Sequence, residues 1–373
     1  MPSNPYYASQ PPLFVGRVDE MGLLNAALEK ARAGQGGVAL LMGEPGIGKT
    51  RLAEEVALLA TQRGVQVLWG RCYESGSAPA FWPWIQMIRT YVQTNDPDRL
   101  LTEIHAGATD LARLIPEIRE YLLQILPAPQ IPPVSILEDE PTRFRLFDSV
   151  TNFLIRAART HPLVLILDDL HWADTPSLLL LQFLAYELRH NPIFIIGSYR
   201  DSEVNHDHPL AKTVAELSRL RVVLPILLGG LEATEVAHFM AVTAGQSPSA
   251  KLLTAVITET AGNPFFVAEL THFFARADST EQHSSVPVIP QTVRGVIRQR
   301  LSRLSNPCNL ILNSAAVMGR DFTLTRLLRL ADLSPNATLT ALDEATKAYL
   351  ITSLSEGVGR YRFIHDLVRE TLY

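Results

Sequence analysis

Cysteine is scarce in this chain: there are two in 373 residues, Cys72 and Cys308. They lie far apart with no ligand spacing around them, which excludes a disulfide framework and a zinc ribbon. Both are expected to be reduced and buried, as in a cytoplasmic protein. A strong charge of either sign is also missing. The net charge of −5 and pI near 6.1 give no overall electrostatic footprint for nucleic acid, and only a local patch is left open. Long apolar runs are absent too. Stretches such as Leu163 to Leu167 stop far short of the ~20 residues a spanning helix needs, and the N-terminal "MPSNPYYASQPP" has no basic start and apolar core. Neither a secretory signal nor a membrane partner is expected. What is present is ample material for a core, with 47% hydrophobic and 19% charged residues. At this length two or three domains are expected.

Short apolar runs recur at Val38 to Met42, Val65 to Trp69, Leu163 to Leu167, Phe194 to Gly197 and Val222 to Leu228. Each is bounded by Gly, Pro or polar residues and separated from the next by helical periodicity, the pattern of a parallel sheet covered by helices. The long gap between the second and third runs carries helical periodicity and a break at "PAPQIPP", so residues 71–160 are expected to hold a helical insertion. The expected organisation is therefore an α/β core over residues 1–230 and a helical segment over 231–276. A polar, Pro-punctuated linker follows at 277–290. Residues 291–373 read as helices, near 291–303, 306–318, 323–332 and 335–349, followed by two short strand patterns around a Gly-containing turn. Helices before a hairpin suggest a winged helix, and the sequence stops at Tyr373 inside a helical pattern, as a segment of a longer chain would.

Gly43-Glu44-Pro45-Gly46-Ile47-Gly48-Lys49-Thr50 fits G-x-x-x-x-G-K-[ST], with a strand pattern before it and a helix pattern after it. Such glycines let backbone N–H groups turn toward phosphate oxygens, and the helix N-terminus adds positive potential. Lys49 would reach the β and γ phosphates, and the Thr50 hydroxyl would ligate Mg²⁺. In "LVLILDDLHWAD" a buried strand delivers Asp168 and Asp169 to its C-terminal edge, where open α/β sheets place ligands. Asp168 would hold Mg²⁺ through water, and Asp169 would orient or deprotonate an attacking water. Asp174, ahead of Thr175-Pro176-Ser177, reads as a helix cap, so capping does not account for the pair. "PIFIIGSYRDSE" ends a further strand in Arg200, whose planar fork of donors suits a γ-phosphate.

With "FVGR" (Phe14 to Arg17), "GEPGIGKTRL", "RCYESGSAPAFWPW", "LDDLHWAD", "IIGSYR", "LGGLEATEV", "AGNPFFVAEL" and "YRFIHDLVRETLY" in this order, the chain resembles the STAND class of AAA-like signalling ATPases. Within that class it is similar to the nucleotide-binding module of large LuxR-type transcription regulators and of cyclase- or kinase-linked proteins. The resemblance implies a P-loop NTPase fold with a helical insertion, then a helical lid and a winged helix. It places Val15, Gly16 and Arg17 among the nucleotide contacts, along the adenine. It adds Arg51 to the phosphate loop, sets Pro264 of Gly262-Asn263-Pro264 near the base or sugar, and gives His365 a contact to the β-phosphate of ADP that locks a closed state. The implied activity is that of an ATP/ADP switch, with self-association in the ATP state and with sensor and effector parts outside these residues. Motors of the AAA type carry Glu where this chain has Asp169. A carboxylate one methylene shorter positions water less well, so slow hydrolysis is expected. The rival reading is a DNA-binding ATPase of the origin-recognition type. Residues 291–373 hold 11 Lys/Arg against 7 Asp/Glu, with Arg294, Arg298 and Arg300 close together, which makes direct DNA binding an open but less favoured alternative. A small-molecule kinase is weaker still, since no second substrate pocket is suggested.

Overall fold

The five apolar runs become five parallel strands: β1 (Gly37–Met42), β2 (Gln66–Arg71), β3 (Leu163–Asp168), β4 (Ile193–Tyr199) and β5 (Val223–Leu227). Their order in the sheet is β2-β3-β4-β1-β5. Every residue of β3 and β4 is buried, whereas the edge strands β2 and β5 are only partly so. That difference is why the central runs are apolar at consecutive positions while the edges tolerate Gln66 and Pro225. The computed structural model describes residues 13–73, 79–104, 108–115, 140–277, 295, 297–298, 301–302, 304–331, 333–348, 350–354, 359–363 and 366–373.

The chain divides into two units. One comprises Arg17–Glu44 and Lys49–Leu228; the other comprises Met1–Gly16, Pro45–Gly48 and Gly229–Tyr373. In the first, the insertion contains helices Trp82–Thr94, Pro97–Ile104, Ala108–Leu114 and Glu140–Thr160. Helix Trp82–Thr94 lies so close to β2 that a Cβ on Gly70 would sit 2.4 Å from the Pro83 carbonyl oxygen. Trp84 and Tyr91 on that helix are fully buried, and each satisfies its polar tip: Trp84 Nε1 donates to the Ser177 carbonyl at 3.1 Å, and the Tyr91 hydroxyl donates to Glu103 at 2.8 Å. Cys72 is buried and free, and burial holds its thiol well above the usual range.

In the second unit, helices Ala233–Ala244, Ala250–Thr260 and Pro264–Ala277 pack around Leu231, Val236, Met240, Val256, Val267 and Leu270. The first of them begins with a capping box between Glu232 and Glu235. Further along, helices Asn306–Met318, Leu324–Leu330, Pro335–Lys347 and Asp366–Leu372 surround a core of Cys308, Ile311, Leu312, Phe322, Leu342 and Phe363. Ile351–Ser353 (β7) and Arg360–Phe363 (β8) pair antiparallel, as the two strand patterns suggested. A third strand, Asp321–Thr323 (β6), joins the other side of β8 and replaces the start of the helix expected near 323–332. Arg362 on β8 holds the Asp321 carboxylate with two hydrogen bonds. The expected linker beyond residue 277, most of the helix expected at 291–303 and "PAPQIPP" lie outside the described residues.

Candidate functional site

β1 ends at Met42, and the backbone then turns through Gly43 (φ 144°), Gly46 (φ 83°) and Gly48 (φ 101°) before helix Lys49–Gln62 begins. Three left-handed positions in six residues are accessible to glycine without steric cost, which is the local reason for the loop's composition. Lys49 is buried at the start of the helix, with Nζ donating to the carbonyls of Gly43 at 2.6 Å and Glu44 at 2.9 Å. Burial pushes its ammonium down to about 8 and the Arg200 charge adds to this, while Asp169 and Asp168 work against it. Ile47 is buried within the loop, and Arg51 lies on the following helix against Glu54 and Glu55.

β3 brings Asp168 to its end, buried. The Asp168 Oδ1 atom accepts from the Thr50 hydroxyl at 3.0 Å and from the Ser198 hydroxyl at 2.6 Å. Asp169 follows in the left-handed region (φ 60°), and its N–H donates to the same Ser198 oxygen at 2.9 Å. One hydroxyl on β4 thus fixes both members of the pair, donating to one and accepting from the other. Ser198 was not singled out from sequence. Its signal was present as the polar residue in the otherwise apolar strand "IFIIGSY". As expected, Asp174 caps helix Thr175–Glu187, its Oδ1 accepting from Ser177 N–H at 2.9 Å; the same oxygen accepts from Phe81 N–H at 3.3 Å.

Arg200 follows β4 and is 5% exposed. Its Nη1 pairs with Glu203 Oε1, and its guanidinium lies over the Trp172 ring at 5.0 Å. Glu203 Oε2 is 3.5 Å from Nε2 of the buried His171. Trp172 and Glu203, also not singled out beforehand, share this corner with the residues that were. Arg17, buried and left-handed (φ 63°), pairs with Glu20 at 3.2 Å.

In the other unit, Val15 is half-buried, and Gly16 approaches Glu235 so closely that a Cβ would lie 2.1 Å from its Oε1. Gly262 (φ 73°) approaches the backbone of Leu231 in the same way, and Leu231 N–H donates to the Gly262 carbonyl at 2.8 Å. The buried Asn263 donates through Nδ2 to the Pro45 carbonyl at 3.0 Å, Pro264 opens helix Pro264–Ala277, and Phe265 N–H donates to the Gly46 carbonyl at 3.4 Å. His365 lies outside the described residues. In the unit that holds the sheet, the buried Lys49 and the Thr50 hydroxyl at the start of their helix and the buried Asp168 carboxylate at the end of β3 form a polar corner suited to a polyphosphate with a hard divalent cation.

Residues 13–196 match the family model of the AAA ATPase domain. A P-loop AAA ATPase is therefore what this part of the chain supports, in agreement with the parallel sheet and its loop. An uncharacterized protein of Rhizobium meliloti (strain 1021) is 23% identical over 372 residues, covering 96% of this chain and 35% of the relative. Among solved structures, a Signal Transduction ATPase with Numerous Domains (STAND) protein with a tetratricopeptide repeat sensor from Pyrococcus horikoshii aligns over 100% of this chain and 44% of its own. Its TM-score is 0.51 and its identity 17%, a likeness of fold. The Aeropyrum pernix Orc1 protein in complex with DNA aligns over 97% of this chain and 93% of its own at 14% identity, with a TM-score of 0.42. The chain thus spans about a third of the curated relative and less than half of the Pyrococcus protein. No helix among the described residues is long and apolar enough to cross a membrane.

Proposed function

We propose that this chain is an ATP/ADP-operated switch, the nucleotide-binding module of a STAND-type signalling ATPase of the kind joined to LuxR-type regulators, cyclases or kinases. The observation that carries the reading is the 3.0 Å hydrogen bond from Thr50 to Asp168, which joins two motifs 118 residues apart at the end of β3. In this reading the N–H groups of residues 43–50 and the Lys49 ammonium bind the β and γ phosphates. Thr50 and Asp168 would hold Mg²⁺, their oxygens being the hard donors that cation prefers. When bound, the ion neutralises phosphate charge and fixes the phosphate geometry. Asp169 orients the attacking water, and its short side chain keeps hydrolysis slow. Arg200 reads the γ-phosphate. Val15, Gly16, Arg17, Arg51 and Pro264 complete the nucleotide contacts, and His365 holds the β-phosphate of ADP from a winged helix. Nucleotide exchange would open the module and let copies assemble, with sensor and effector parts elsewhere in the full protein.

Titration calorimetry with Mg²⁺-ATP tests this. Wild type should bind, Lys49→Ala should lose at least tenfold in affinity, and Asp169→Asn should bind ATP and leave it unhydrolysed. Unchanged affinity in the Lys49 variant would overturn the site.

A further inference from the structure

Arg200 has an anion at hand before any nucleotide arrives. A buried guanidinium requires a partner, and Glu203 Oε1 supplies it, three residues on in the short helical turn Asp201–Glu203. The two members differ in burial: the Arg200 side chain is 6% exposed, the Glu203 side chain 37%. A carboxylate that open to water can be displaced or outcompeted. The guanidinium itself is kept in position by a second contact, the Trp172 ring beneath it at 5.0 Å. The other carboxylate oxygen, Oε2, faces the buried His171 at 3.5 Å.

Resting on the nucleotide-switch reading above, we propose that Glu203 is an internal competitor for the terminal phosphate and sets how strongly Arg200 distinguishes ATP from ADP. A carboxylate beside the arginine cancels part of the charge that the γ-phosphate would otherwise meet. ATP loses by this and ADP, which has no γ-phosphate, hardly does. Glu203 is thus a positioning and specificity residue that moderates the switch's preference for ATP and keeps Arg200 occupied in the ADP state.

The isosteric Glu203→Gln isolates the charge, because the amide oxygen still accepts from Arg200. Affinities for Mg²⁺-ATP and Mg²⁺-ADP are measured by calorimetry for wild type, Glu203→Gln, Arg200→Ala and the double variant, with melting curves to confirm folding. The ATP-over-ADP ratio should rise about tenfold in Glu203→Gln, the scale of one charge-assisted interaction regained in a partly exposed site. It should not change when the same substitution is made in the Arg200→Ala background. Glu203→Ala should shift the ratio in the same direction and serves if the Gln variant melts abnormally. A ratio that is unchanged or lower in folded single variants overturns the proposal while leaving the site assignment standing. A wild-type protein that binds neither nucleotide overturns both.

Discussion

Ser198 shows what single side chains do in this corner. It is buried on a central strand and has two obligations, to Asp168 Oδ1 and to Asp169 N–H. Ser198→Ala leaves a buried carboxylate and a buried amide short of a partner. About 1–3 kcal/mol of stability should be lost, seen as a lower urea midpoint with an unchanged slope. The turn from Gly43 to Thr50 was legible between a strand and a helix pattern because its glycines, lysine and hydroxyl stand at fixed intervals along one continuous backbone, and Asp168 was legible at a strand end because the apolar run before it stops there. Ser198, Trp172 and Glu203 were not legible in that way. Ser198 reaches the pair across neighbouring strands, 29 and 30 positions away in the chain, and nothing in a linear pattern encodes that meeting. The cysteines were legible as buried thiols. Burial pushes Cys308 up to about 12 and holds Cys72 well above its ordinary value. Iodoacetamide at pH 8 should therefore modify neither in the folded protein and both after denaturation, counted by mass spectrometry.

Among elements, the five strands of the parallel sheet were readable because a strand buried on both faces has few alternatives to a continuous apolar run. β6 was not: three residues, Asp-Phe-Thr, carry no period, and only pairing with β8 makes them a strand. The seat of helix Trp82–Thr94 on β2 was equally hidden, since it depends on the absence of a side chain at Gly70. Gly70→Ala must move the helix or the strand apart, as the added carbon would press on backbone at Pro83 and on Met87. An overpacking cost of about 1–3 kcal/mol is expected, measured by chemical denaturation, with little change at the phosphate loop itself. The start of the same helix is tied to helix Thr175–Glu187 by Asp174, whose single carboxylate both caps that helix and receives Phe81 N–H. Asp174→Ala should cost about 1–2 kcal/mol for the cap alone.

For the molecule as a whole, an excess of 38 acidic over 33 basic residues argues against a duplex held by broad electrostatics. In a mobility-shift titration at about 150 mM salt, non-specific DNA should bind no tighter than the weak micromolar range, with a shallow salt slope. A steep slope and tight binding would instead favour the origin-recognition reading. The sheet order has a different consequence, one that concerns the birth of the chain. Of the five strands of this sheet β1 is the first to be synthesised, yet its two hydrogen-bonded neighbours begin only at Ile193 and Val223. At roughly 5–20 residues per second, the ~150 residues after Met42 take roughly 8–30 s to appear. Throughout that interval "GVALLM" is an apolar segment with no sheet to join, while β2 and β3, made later, already have each other. The oldest strand of the sheet waits longest for a partner. A nascent chain arrested before Tyr199 carries its phosphate loop on a strand that has nothing beside it, and is the species a holding chaperone would be needed for.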